Sequence, residues 1–279
     1  MSRRGITPQG HGDWKLHLGL GIGAFLMVLP FLWQILSSFK SGSEIILVPP
    51  TLFPEDPTTK GYETFFATVP FWRMLMTTVG SAVLRILGQL VVASLAGYAF
   101  ARLRFPGKHG IFVLFLAMLM VPSQLFLISQ FLLMKDLNLL NTLPALAIPG
   151  MFTAFGTFLL RQAFLALPKE YDESARLDGA NRFQVFWHVM LPLTSPTLAA
   201  LAVLTGLFAW NDLLWPLIVT QDPQRMPLSV GLAGLQGQYG TDYPTLMAGS
   251  LICSLPLVLV FLALQRQFFA GIASSGLKG

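Results

Sequence analysis

Long stretches of this chain carry no Asp, Glu, Lys or Arg: Leu16 to Phe39, Ile111 to Met134, Leu137 to Leu160, Phe183 to Asn211 and Tyr243 to Gln265. A further run, Met74 to Ala101, is interrupted once, by Arg85. A helix crossing the roughly 30 Å hydrocarbon core of a bilayer needs about 20 mostly apolar residues, and each run supplies them. Only 11% of the residues are charged and 54% are hydrophobic, whereas a soluble domain carries about 25% charged residues. The expected fold is therefore all-α and polytopic, one transmembrane domain over residues 1–279 that crosses the bilayer six times. The expected spans lie near 16–39, 74–101, 111–134, 137–160, 191–215 and 243–265. Residues 1–15 precede them, long loops fill 40–72 and 220–242, and a connecting loop occupies 167–190.

Charge sets the orientation. The N-terminus, the loops after the second and fourth spans and the C-terminal tail hold Arg3, Arg4, Lys15, Arg102, Arg104, Lys108, Arg161, Lys169, Arg176, Arg182, Arg266 and Lys278. The opposite face holds Lys40, Lys60, Arg73, Lys135 and Arg225. Short loops rich in Lys and Arg stay in the cytoplasm, so both termini are expected there. The net charge of +5 then reflects topology and not a nucleic-acid partner, because the basic residues sit in short loops beside spans. The first apolar run exceeds the 7 to 15 residues of a signal-peptide core and precedes no small-x-small cleavage site, so it is expected to persist as an anchor. Cys253 is the only cysteine, which rules out an intrachain disulfide and a cysteine metal cluster.

The loop 40–72 is dense in proline (Pro49, Pro50, Pro54, Pro57) and acids, and the loop 220–242 is rich in glycine. Both exceed the usual 2 to 6 residues of a connection, which leaves two readings open, a surface that receives a partner and a tolerated insertion. In the connecting loop, Pro168 suits the start of a helix at Lys169, and Glu170, Asp172 and Glu173 crowd its first turn, where the helix dipole favours negative charge. Gly179 offers positive φ. Asn181-x-x-Gln184 has the form of a capping box that opens a second helix, in which Phe183, Phe186, Trp187 and Met190 recur at the spacing of one apolar face. The expectation is a stiff helix-Gly-helix elbow.

Within the apolar runs Arg85 lies too deep to snorkel, so lining of a path and pairing with Asp212 or with backbone carbonyls are both open. Asn211 and Asp212, between Trp210 and Trp215, fit either a cavity or an interfacial helix end. Gln89 and Gln124 are further polar candidates for the path, with interhelical hydrogen bonding as the plainer use.

The block Arg161-Gln162, Leu167-Pro168, Glu173-Ser174-Ala175, Asp178-Gly179-Ala180 and Leu191-Pro192 resembles the loop by which permeases of ABC importers grip their ATPases. The family pattern is Glu-Ala-Ala, four residues to Gly, then a dozen on to Leu-Pro; Ser174 replaces the middle Ala. Leu36-Ser37-Ser38-Phe39-Lys40, Pro50 to Pro54, Tyr98 to Lys108, Trp210 to Pro216 and the tail from Gln265 resemble the maltose-type small permease subunit of the carbohydrate-uptake branch. This likeness implies a type I importer permease fold in the cytoplasmic (inner) membrane and a sugar or related polyol or glycerol phosphate as cargo. It also implies three kinds of partner: a second, related permease, two ATPase subunits and an extracytoplasmic binding protein. It assigns ATPase coupling to Glu173, Ala175, Asp178, Gly179, Ala180, Leu191 and Pro192, and a tail contact to Gly276 and Lys278, where Ala273 to Leu277 departs from the usual Thr-Ala-Gly-Ala-Val.

The chain is expected to be no enzyme and to hold no cofactor. Gly107-Lys108-His109 lacks the upstream Gly and the hydroxyl residue of a phosphate-binding loop, so ATP and Mg belong to the partner ATPase. No His-Glu-x-x-His or Gly-x-Ser-x-Gly motif supports a hydrolase. An ion-gradient-driven secondary transporter is the alternative, and it has only Asp212 as an internal carboxylate.

Overall fold

The computed structural model describes residues 13–237 and 241–276. Among them the regular structure is helical, with no β-pairing beyond an isolated bridge between Gln236 and Thr241. The described residues form two compact units, one taking in the chain up to Thr68 with Leu235–Leu255, the other Val69–Gly234 with the chain from Pro256.

In the first unit α1 (Asp13–Ser37) is apolar all round and leaves nearly every side chain from Leu16 to Leu32 exposed. A helix of that kind needs lipid or another protein around it. The proline-rich segment after it is tied down by polar contacts. Lys40, 2% exposed, donates to the Thr51 carbonyl and lies 4.8 Å from the centre of the Trp33 ring. Glu44 accepts from Thr51 Oγ1 at 2.7 Å and from the Glu55 amide at 3.1 Å. The segment ends in a short helix, α2 (Lys60–Thr68), which the proline content alone did not lead one to expect.

The second unit is built around α3 (Phe71–Arg102), a 32-residue helix without proline. After it come α4 (Lys108–Ala117), α5 (Leu127–Asp136), α6 (Leu143–Ala147), α7 (Ala154–Ala166) and α8 (Glu170–Leu177). The single turns α9 (Arg182–Gln184) and α10 (Leu191–Leu193) flank a π-helix, Val185–Met190. Then follow α11 (Ser195–Asn211), α12 (Leu214–Val219), α13 (Leu228–Ala233) and α14 (Tyr243–Gly276), the last leaving the first unit at Pro256.

Close approach of α3 and α7 depends on Gly97. A Cβ there would lie 2.9 Å from the Arg161 amide nitrogen and 3.0 Å from Leu160 Cβ. In lipid, where burial of apolar surface drives association little, such contact supplies the attraction through dispersion. The buried cluster beside this seam contains Ala93, Tyr98, Leu160, Phe164, Phe186 and Met190.

Among the described residues three helices are long and apolar enough to cross a membrane, Leu16–Ser37, Phe71–Arg102 and Tyr243–Ala263. Where the charge-free runs suggest continuous spans at 111–134, 137–160 and 191–215, the structure has bent pairs. Lys108–Met120 meets Ser123–Asp136 at 97°, Leu143–Gly150 meets Ala154–Ala166 at 52°, and Arg182–Leu193 meets Ser195–Asn211 at 74°. Each break has a local cause. Pro122 stands in the first, Thr153 caps α7 by accepting from the Gly156 amide at 3.1 Å in the second, and Pro192 and Pro196 flank Thr194 in the third. Residues 137–142 are not helical although free of charge, because Asn138 and Asn141 adopt φ of 55° and 60°, a conformation that asparagine tolerates.

Candidate functional site

The elbow forms as local chemistry dictates. Leu167, before Pro168, is extended with ψ 140°, as the steric demand of the proline ring requires. Helix α8 starts with Glu170, Asp172 and Glu173 in its first turn and ends in a Schellman turn. The Ala180 amide donates to the Ala175 carbonyl and the Gly179 amide to the Arg176 carbonyl, both at 3.0 Å, with Gly179 at φ 85°. Ala175 and Ala180, which bracket this turn, both pack against the buried aromatic cluster. The next helix opens with the capping box: Gln184 Oε1 accepts from the Asn181 amide at 2.8 Å, and Asn181 Oδ1 from the Gln184 amide at 2.9 Å.

The expected single apolar face of 183–190 is corrected. Phe186 and Met190 are buried, but Phe183 and Trp187 stay exposed, their rings stacked 6.3 Å apart. The cause is the π-winding of Val185–Met190, which breaks the 3.6-residue phase just before Pro192, whose ring would clash with the His188 carbonyl in a regular α-helix. Of the residues that sequence marks for coupling, Glu173 and Asp178 are exposed, Leu191 is half-buried against the cluster, and Pro192 is exposed. Leu177, at 89% exposure, is the most solvent-facing apolar residue of the elbow.

Long-range charge contacts, which sequence did not reveal, hold the elbow to the bundle. Arg102 Nε lies 3.2 Å from Asp172 Oδ2, with only 7% and 10% of these side chains exposed, and Arg102 Nη2 donates to the Leu167 carbonyl at 2.6 Å. Arg161 donates to the Phe100 carbonyl at 3.3 Å and stacks its guanidinium 4.1 Å from the centre of the Phe112 ring. Lys108 donates to the carbonyls of Ala101 and Leu103, at 3.3 and 2.9 Å. Three cations thus converge on the carbonyl end of α3, where orphan carbonyls and the helix dipole favour positive charge.

A second polar group lies in the middle of the same helix. Arg85 Nη1 is 3.0 Å from Asp212 Oδ2, with side-chain exposures of 19% and 24%. Gly150 makes room for it, since a Cβ there would collide with the Arg85 side chain. One turn on, the buried Gln89 amide donates to the carbonyls of Met151 (2.9 Å) and Gly150 (3.1 Å) and accepts from Thr153 Oγ1 at 2.8 Å. Arg85 separates two clefts. One, of about 310 Å³, is largely apolar, with Phe155, Leu204 and Phe208 in its wall. The other, of about 210 Å³, is lined by Arg85, Asp212, Ser123, Gln124 and Gln130 with Trp215 at its side. The structure therefore brings Arg85, Asp212 and Gln124 to one cavity and uses Gln89 to join helices. Asn211 is exposed and donates to the Leu207 carbonyl of its own helix at 2.8 Å. Gly276 is the last described residue of α14, and Lys278 lies outside the described residues.

Long apolar helices, broken helices around a polar cavity and a rigid elbow define a polytopic membrane permease. The chain belongs to the family of binding-protein-dependent transport system inner membrane components, whose family model matches residues 89–273. It is 37% identical over 271 residues to the arabinooligosaccharides transport system permease protein AraQ of Halalkalibacterium halodurans, covering 96% of this chain and 97% of that protein. It is 34% identical to the lactose transport system permease protein LacG of Rhizobium radiobacter (92% and 93% covered). With the sn-glycerol-3-phosphate transport system permease protein UgpE of Yersinia pestis it shares 31% identity (98% of each chain). The fold matches a chain in the crystal structure of a bacterial ABC transporter involved in the import of the acidic polysaccharide alginate. The TM-score is 0.79 at 23% identity, over 93% of this chain and 99% of that one.

Proposed function

We propose that this chain is one of two related permease subunits of an ATP-driven importer, and that it passes a sugar or a related polyol across the membrane by alternating access. Two separate ATPase subunits bind the elbow and supply ATP and Mg, and an extracytoplasmic protein delivers the cargo. Both termini and the elbow face the cytoplasm, in keeping with the basic bias of those segments. The loops 40–72 and 220–242 then face outward, towards the delivering protein. The cleft at Arg85 and Asp212 lines the path of the cargo, with Gln124 in its wall. The cargo class rests on the relatives, which are named for oligosaccharide, lactose and glycerol phosphate transport.

The observation that carries this reading is the elbow: a short helix ended by a Schellman turn at Gly179, with Glu173 and Leu177 outward and its other side fixed to the bundle. A knob held this firmly passes on displacement instead of absorbing it. The test is a mild-detergent pull-down of the tagged chain expressed with its native neighbours. Wild type is expected to recover an ATPase. Glu173→Lys is expected to reduce that recovery by at least about tenfold, the effect of roughly 1.4 kcal/mol. Recovery of no ATPase, with transport driven by an ion gradient in the lone chain, would replace this reading with a secondary carrier.

A further inference from the structure

We infer that the buried ion pair between Arg102 and Asp172 is the joint through which displacement of the elbow enters α3 and reaches the cleft at Arg85, an inference that rests on the importer reading. Helix α8 is eight residues long, and Asp172 is its one buried side chain. Arg102 stands in the last turn of α3. The pair therefore links the two helices directly, and the bond from Arg102 to the Leu167 carbonyl braces the extended connection that leads into α8.

The receiving helix is suited to carry a push. It runs through 32 residues without proline, while the helical segments between Lys108 and Asn211 are bent at three breaks. Its carbonyl end is gripped by Lys108 and Arg161, so load at Arg102 does not fray the last turn. Arg85 lies on the same helix seventeen residues earlier, about 25 Å away at 1.5 Å per residue. Rigid elements of this kind carry coupling between distant sites.

Two other uses of Asp172 are weaker. Complementing the α8 dipole needs no burial, and Glu170 and Glu173 in the same turn already serve it. Simple stabilisation is a poor use of a buried pair, because desolvation offsets most of its attraction, and here Asp172 Oδ1 has no hydrogen-bond partner. Asp172 and Arg102 are positioning residues: they touch neither cargo nor nucleotide.

The experiment uses the complete transporter purified with its partners and reconstituted in liposomes, and it reads cargo moved per ATP hydrolysed. Asp172→Asn and Arg102→Gln are expected to keep the ATPase bound at wild-type stoichiometry and still hydrolysing. Cargo moved per ATP is expected to fall roughly five- to 100-fold, the ordinary range of a coupling between two sites. The charge exchange Arg102→Asp with Asp172→Arg is expected to recover much of that loss. Where a neutral variant does not accumulate in the membrane, Arg102→Lys, which keeps the charge, carries the comparison and is expected to give an intermediate ratio. An unchanged ratio in the variants that assemble would overturn the inference while leaving the importer reading intact. So would an equal loss of assembly in the single variants and the exchange, which would make the pair a structural tie. A wild-type chain that recovers no ATPase would remove the importer reading itself.

Discussion

Arg85 and Asp212 show how a charge is kept inside a membrane bundle. The pair meets at 3.0 Å with about a fifth of each side chain exposed to a cleft, so neither charge is fully desolvated and neither is free. Removing one partner leaves the other at a site where water is scarce and lipid gives it nothing. Arg85→Leu is expected to cost about 1–3 kcal/mol, less than in a fully buried pair because of that residual exposure. The measurement is a thermal melt of the detergent-purified chain. Arg85→Leu combined with Asp212→Leu is expected to recover at least half of the lost midpoint, since removing both charges leaves no orphan. If the double variant melts at or below the single one, the pair does not stabilise the bundle as a unit. Uptake is expected to drop in both variants, because the polar cleft loses its charged wall.

Two glycines separate the elements that sequence displays from those it conceals. Gly179 has open space around an added Cβ, and its constraint is φ 85° alone. Gly97 has ordinary φ, and its constraint is the backbone of α7 at 2.9 Å. Replacing Gly179 by Asn is therefore expected to be nearly silent, and by Val to cost about 1–2 kcal/mol. Gly97→Ala is expected to cost about 1–3 kcal/mol, and Gly97→Asn more, through overpacking. Melting curves of the four variants test this, and a harmless Gly97→Asn would refute the packing account. Gly179 and the Asn181–Gln184 box were legible beforehand, because turn and cap chemistry is written within four residues. The joint between Arg102 and Asp172 was not, because seventy positions separate its partners, and each had a plausible local reading, as a topology signal and as a dipole complement. Pro122, inside an apolar run, is itself a kink signal; the breaks at Thr153 and Thr194 were concealed for another reason: freedom from charge reports compatibility with lipid, and says nothing of whether the backbone stays in one helix. Asn138 and Asn141 make the same point at 137–142, and the π-winding of 185–190 makes it for the helical phase of Phe183 and Trp187.

At the scale of the whole molecule, orientation in the membrane rests on where the basic residues fall, and two exposed apolar residues allow it to be measured. Val48, 94% exposed in the proline-rich segment, is expected outside, and Leu177, 89% exposed on the elbow, inside. Cys253, the sequence's only cysteine, is buried at 4% exposure and adds little background. Val48→Cys and Leu177→Cys are made separately in the chain expressed without its neighbours, so that no ATPase shields the elbow. A membrane-impermeant maleimide is then added to spheroplasts before and after permeabilisation. Val48→Cys is expected to react at once, and Leu177→Cys only after permeabilisation. The opposite pattern would place the elbow outside, away from any source of ATP, and would end the coupling argument at its first step. Labelling of both sites in intact cells would mean that the chain crosses the membrane an even number of times between residues 48 and 177, against the basic bias, since the two segments would then share a face although they differ sharply in Lys and Arg content.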